Sequence, residues 1–137
     1  MAYSFRFQSL QIWQIGSNLS LQLFQVADDL ESRKLFRFAE QLRGSVLSIT
    51  NNIAEGSGST SNKEFQQFLN FSRRSVFETA NILLILANHD TLNLGDLNGF
   101  LSTLEELSRK ITAFSRSLNH VRGTLRDCRV QGAGGKE

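Results

Sequence analysis

Apolar residues recur at helical spacing along residues 41–58, and this pattern is the strongest constraint on the fold. Residues three or four apart share one face of a helix, as in the series Leu42, Val46, Ile49 and Ile53. Such a stripe must be covered by other elements. The whole chain contains no proline, which favours long uninterrupted helices over a β-sandwich with its many turns.

The first half of the chain is predicted to form two helices. Helix 1 covers about residues 8–27, and Asp28 and Asp29 begin the connection after it. Ser32 is the predicted N-cap of helix 2, whose core stripe starts with Leu35 and Phe38. Helix 2 ends near Gly56 and Gly58, because glycine adopts the backbone conformations that terminate helices.

The second half of the chain contains two further segments with helical periodicity. Ser61 and Glu64 form a capping-box pattern, so helix 3 starts near Asn62 and continues to about His89. Helix 4 starts at Asn93 or Asp96 and keeps the period for about eight turns.

Four long helices joined by short loops predict an all-α fold. Short connections favour an antiparallel up-down-up-down four-helix bundle. We expect one domain over residues 1–127 and a flexible C-terminal tail over 128–137.

Several features predict a cytoplasmic protein without a membrane span. The single cysteine, Cys128, excludes a disulfide within one chain. The N-terminus lacks the pattern of a signal peptide, and the longest apolar run, residues 82–87, is far shorter than the about 20 residues of a spanning helix.

No catalytic, metal-binding or cofactor-binding residues are predicted, so we expect a protein that is not an enzyme. His89 and His120 stand alone in the sequence, and neither belongs to a HExxH or Glu-x-x-His motif.

A row of polar residues lies beside the core stripe of helix 2 and faces similar residues of helix 3. The predicted polar layer comprises Ser45, Ser48, Asn52, Glu55, Ser75 and Glu78, with Thr79 next to it. One interpretation is that these side chains hydrogen-bond one another and fix the helix register. The other is that they form a ligand site.

Positive charge is concentrated at the C-terminal end of a chain whose net charge is only +2. Residues 109–137 carry seven basic and two acidic groups, whereas residues 1–108 carry eight basic and eleven acidic groups. The candidate phosphate-binding residues are Arg43, Lys63, Arg73, Arg74, Arg116, Arg122 and Arg126. The alternatives are a solvated helix surface for the first four and dipole compensation at the end of helix 4 for the others.

Helices 1 and 3 have more apolar surface than one bundle core can cover. The candidate subunit interface comprises Leu10, Trp13, Leu21, Phe24, Phe71, Ile82 and Ile85. Apolar surfaces on two different helices suggest a head-to-tail contact, which closes into a ring when the rotation permits. We therefore expect a closed homo-oligomer.

Several short motifs resemble those of one known family. They are Ile12-Trp13-Gln14, Gln41-Leu42-Arg43, Asn52-Ile53-Ala54-Glu55-Gly56 and Lys63-Glu64-Phe65, followed by Arg73, Ser75 and Glu78. Over about residues 5–120 the chain resembles the four-helix-bundle proteins encoded in intervening sequences of bacterial 23S ribosomal RNA genes.

This resemblance implies a ring-like homopentamer. The accessory variability protein of diversity-generating retroelements, which works with a reverse transcriptase and nucleic acid, is distantly similar. The resulting prediction is a non-enzymatic oligomeric binding module for RNA or a nucleic-acid enzyme. The alternative is a structural or protein-interaction scaffold that does not bind nucleic acid.

Overall fold

The chain is helical throughout the part that the structure describes. A computed structural model describes residues 4–132, with side chains described over residues 4–119. After a short 3₁₀-helix at Arg6–Ser9 come four α-helices: α1 (Gln11–Ser32), α2 (Phe36–Ser57), α3 (Asn62–Asn88) and α4 (Leu94–Gly132). Residues 4–132 contain no β-strand. The predicted all-α class is confirmed, and the four helices are consistent with the predicted bundle.

One apolar core joins all four helices. Successive helices pack against each other along the chain, and α4 packs far more extensively on α3 than on α1. Fully buried side chains from every helix fill the core, among them Leu23, Leu30, Leu42, Ile49, Ile53, Phe65, Leu69, Leu83, Leu104 and Ile111. Each of these side chains contributes about 1.5–3 kcal/mol by leaving water, so the core stripes account for the fold.

Helix α1 ends later than the sequence pattern predicts. It continues to Ser32, so the predicted connection at Asp28 and Asp29 and the predicted N-cap role of Ser32 are both wrong. The reason is that Leu30 is fully buried and continues the core stripe, while Asp29 pairs with Arg33 at 3.0 Å on the exposed side. The helix also starts later than predicted, because residues 6–9 form the 3₁₀-helix.

Two helices end on a residue other than glycine in the left-handed conformation. Lys34 has φ 65° after α1, and Asp90 has φ 58° after α3. In each case the next backbone N–H donates to a carbonyl inside the helix, that of Leu30 or that of Leu86, at 2.9 Å. This is the hydrogen bond of a Schellman motif, and it satisfies a carbonyl that the helix end would leave free.

Gly56 serves close packing rather than helix termination. The predicted end of helix 2 near these glycines is confirmed, since α2 ends at Ser57 with Gly58 as its C-cap. Gly56 itself lies inside α2, and Gly58 has φ −90°, so the cap does not use the left-handed conformation. A Cβ atom on Gly56 would lie 2.7 Å from the Phe65 ring and 2.7 Å from the Phe68 Cβ atom. The missing side chain therefore lets α3 approach the end of α2.

The start of α2 also differs from the prediction. The helix begins at Phe36, and Ala39 occupies the buried position one turn before Leu42. Phe38 is 40% exposed, so its predicted place in the core is wrong, whereas Leu35 is half-buried against the core.

The predicted starts of α3 and α4 are confirmed by their caps. The Ser61 hydroxyl accepts a hydrogen bond from the Glu64 backbone N–H at 3.1 Å. Asn93 caps α4 in the same way, since its side-chain oxygen accepts from the Asp96 N–H at 2.8 Å. Helix α3 ends one residue before the exposed His89.

The last helix reaches beyond the predicted domain boundary. Residues 128–132 belong to α4, whereas 133–137 lie outside the described residues. None of the helices described here has both the length and the apolar character needed to cross a bilayer.

Candidate nucleic-acid interface

Small hydroxyl side chains join α2 to α3 inside the bundle. The Thr79 hydroxyl donates to the Ser45 hydroxyl at 2.9 Å, and the Ser75 hydroxyl donates to that of Ser48 at 2.8 Å. The buried Ser72 hydroxyl donates to a backbone carbonyl of α2 at 2.7 Å. These groups satisfy one another within the bundle, as buried polar groups must.

Asn52 extends the polar layer toward the surface. Its side-chain N–H₂ group donates to the Ser48 carbonyl at 2.8 Å and to the Ser48 hydroxyl at 3.0 Å. The carboxylates of Glu55 and Glu78, which the sequence places in the same layer, are exposed and take part in none of the side-chain hydrogen bonds or ion pairs described for residues 4–119. The hydrogen-bonded layer is therefore shorter than predicted, because the two carboxylates reach solvent.

A cavity of about 580 Å³ opens beside this layer, between α2 and α3. It is lined by Ser48, Asn52, Phe71, Arg74, Ser75 and Glu78. The serines and Asn52 are buried or half-buried, whereas the other three side chains are exposed. The cavity thus combines an aromatic ring, a cation and a carboxylate at its rim.

Arg43 is engaged within the chain and does not join the other candidate phosphate-binding residues. Its guanidinium lies 2.6 Å from an Asp28 oxygen and 2.7 Å from a Glu31 oxygen. Hydrogen bonds to Asp28 and then to Glu31 raise the pKa of Arg43 above its ordinary value. These contacts tie α2 to the end of α1 and neutralise the cation.

The remaining basic candidates point to different places. Lys63 is exposed in the first turn of α3. Arg73 and Arg74 are neighbours in sequence, but Arg74 lines the α2–α3 cavity and Arg73 faces α4. The predicted candidates Arg122 and Arg126 lie outside the residues whose side chains are described.

Arg73 and Arg116 share a second cavity, of about 380 Å³, between α3 and α4. The other lining residues are Gln66, Leu69, Asn70, Ile111, Thr112 and Ser115. The lining therefore includes two arginines and no carboxylate. The sequence suggested both arginines separately, but nothing in their spacing predicts that they share one cavity.

Two exposed phenylalanines flank the arginines on α3. Phe71 is 46% exposed and Phe77 is 58% exposed. The Arg73 guanidinium lies over the Phe77 ring, 5.0 Å from its centroid. We call Phe71, Arg73, Arg74 and Phe77 the α3 surface. Phe77 was not predicted from the sequence to be functional, although its position outside the core stripe of helix 3 indicated an exposed side chain.

The candidate subunit-interface residues fall into two groups. Leu10, Trp13, Phe24 and Ile82 are half-buried against the chain's own core, whereas Leu21, Phe71 and Ile85 are exposed. The Trp13 ring lies 5.2 Å from the Phe7 ring, which belongs to the 3₁₀-helix. The N-terminal segment thus covers part of the second stripe of α1, so less of that stripe is open than the sequence predicts.

Comparison with known proteins identifies the family. The family model described as 23S rRNA-intervening sequence protein matches residues 8–113, which is well over half of the chain. This range contains the polar layer, the α3 surface and most of both cavities. Comparison with curated proteins gave no significant match. The resemblance seen in the motifs is confirmed, and the chain belongs to the 23S rRNA-intervening sequence protein family.

Proposed function

We propose that the protein is a non-enzymatic, oligomeric module that binds RNA through the α3 surface. The observation that carries this proposal is that two exposed phenylalanines and two arginines lie within about two turns of α3. Phe71 and Arg74 line the cavity on the α2 side, and Arg73 lies over Phe77. Aromatic rings stack on unpaired bases, and guanidinium groups bind phosphates, so this combination is typical of proteins that bind single-stranded regions of RNA.

The charges and the family support this proposal. None of the five ion pairs described for residues 4–119 involves Arg73 or Arg74. The C-terminal excess of basic residues adds to the attraction for a polyanion. Family membership connects the protein with ribosomal RNA genes by name only, so the proposal rests on the residues of the α3 surface.

Phe77→Ala tests the contribution of stacking. We expect it to weaken binding to a structured RNA with unpaired loops by about 1–3 kcal/mol, because one stacking platform is lost. Fluorescence anisotropy at several salt concentrations measures the affinity. The parent should also show the steep salt dependence that phosphate contacts cause.

Phe36→Ala is the matched control, because Phe36 is also an exposed phenylalanine, 57% exposed, but lies on α2. It should bind RNA as the parent does. Equal loss in both variants, or no binding by the parent at low salt, would contradict the proposal.

The direction of the helices, the number of subunits and the cellular location are part of the same proposal. Antiparallel packing in up-down-up-down order is supported by the pairs Ser45–Thr79 and Ser48–Ser75, since numbers rise along α2 while they fall along α3. A closed homo-oligomer is supported by the exposed Leu21 and Ile85. The family resemblance favours five subunits, and the single cysteine fits a cytoplasmic location.

A protein-interaction scaffold is the second candidate function. It is favoured by the exposed Leu84 and Ile85, which extend the apolar character of α3 beyond Phe77. A pull-down from the native cell, with and without nuclease, separates the two functions. A protein partner that stays bound after nuclease treatment favours the scaffold or direct binding to a nucleic-acid enzyme, whereas nuclease-sensitive recovery favours RNA binding.

A further inference from the structure

The α3–α4 cavity brings two cations together without a counter-ion. Arg73 lines it from α3 and Arg116 from α4, and no Asp or Glu lines it. Neither arginine forms an ion pair with residues 4–119, although five ion pairs occur elsewhere in that range. Two guanidinium groups at one cavity repel each other unless an anion lies between them.

Arg73 is held in a position that leaves one donor unused. Its Nε atom is inaccessible to solvent and has no hydrogen-bond partner among the described residues. The guanidinium packs on the Phe77 ring at 5.0 Å, which restricts its orientation. A buried N–H donor without an acceptor is unfavourable. Because solvent does not reach Nε, an anion in the cavity would bind the terminal nitrogens of the Arg73 guanidinium.

The walls of the cavity are fixed by hydrogen bonds between the two helices. The Gln66 side chain donates to the Ser115 carbonyl at 2.8 Å, and the Asn62 side chain donates to the Leu118 carbonyl at 3.3 Å. The apolar residues Leu69 and Ile111 in the lining are almost completely buried. A preformed cavity with an apolar base strengthens the attraction between charges, because it excludes part of the solvent.

We propose that this cavity binds a phosphate group between Arg73 and Arg116. Arginine suits this role because its planar fork of N–H groups matches the oxygens of phosphate. The Asn70 amide is a further donor in the lining. Phosphate of the RNA backbone and free phosphate share this chemistry, and the choice of RNA as the source rests on the proposed function.

The test uses inorganic phosphate and RNA as separate probes of the full-length protein. In the first arm, thermal unfolding is followed with phosphate or with chloride at equal ionic strength. We expect phosphate to raise the Tm of the parent, and Arg73→Gln and Arg116→Gln to lose this rise. In the second arm, each variant should weaken binding of a single-stranded RNA and reduce the salt slope by about one phosphate contact.

Arg74→Gln is the matched control, because it removes the same charge from the adjacent residue, which lines the other cavity. It should keep the phosphate-dependent rise in Tm. Arg73→Lys gives a second check, since it keeps the positive charge but loses the planar set of N–H donors. We expect this variant to retain only part of the phosphate-dependent rise in Tm that the parent shows.

The two arms separate this inference from the proposed function. A phosphate effect that requires both arginines, in a protein that binds no RNA, supports the site and overturns RNA binding. RNA binding that weakens in both variants without a phosphate effect supports the site with RNA as its source. Unchanged behaviour of folded Arg73→Gln and Arg116→Gln in both arms, or an equal loss of the phosphate-dependent rise in Tm in Arg74→Gln, overturns the site.

Discussion

At the scale of single residues, Gly56 shows how the missing side chain of one glycine sets the distance between two helices. We expect Gly56→Ala to destabilise the protein by about 1–3 kcal/mol, because the added methyl group would overlap with Phe65 and Phe68. Urea unfolding followed by circular dichroism measures the change. Gly44→Ala is the control, since nothing lies within 4 Å of its new Cβ atom. It should raise stability by about 0.5–1 kcal/mol through helix propensity, and a stabilising Gly56→Ala would refute the packing role.

At the scale of helices, the paired hydroxyls predict a measurable coupling between α2 and α3. Thr79 is fully buried, and Thr79→Val keeps its shape but leaves the Ser45 hydroxyl without this partner. We expect a loss of about 1–3 kcal/mol in the free energy of unfolding. Adding Ser45→Ala should cost less than the sum of the two single changes, because both partners are then absent. Thr103→Val on the α4 surface is the control and should change little; strict additivity would argue against the coupling.

The helices also show which features the sequence could predict. The start of α3 was predictable because Ser61 and Glu64 form a local cap. The end of α1 was not, because Lys34 adopts the left-handed conformation without the glycine that usually marks it. Successive residues differ by about 100° around a helix, so the sequence could not assign Arg73 and Arg74 to different cavities before the neighbouring helices were placed. The pairing of Arg73 with Arg116 depends on long-range packing in the same way.

At the scale of the whole molecule, Leu21 is a better probe of assembly than Trp13. Leu21 is 65% exposed, whereas Trp13 packs against the core of its own chain. We expect Leu21→Asp to give smaller species in light scattering, with helical circular dichroism and Tm close to those of the parent, because the proposed assembly would place this charge in an apolar contact between subunits. Leu94→Asp, at an exposed leucine at the start of α4, is the control. A parent protein that is monomeric at micromolar concentration would rule out the assembly.

The unequal packing of α4 also predicts where the folded chain opens. Helices α1 and α4 share the least extensive contact among the α-helices that pack together, so we expect partial unfolding to begin between the first and last helices. A chain opened there presents the inner faces of α1 and α4 while the hydroxyl pairs between α2 and α3 stay closed. A second copy opened in the same way offers the complementary faces, so two copies could pair α1 of one with α4 of the other.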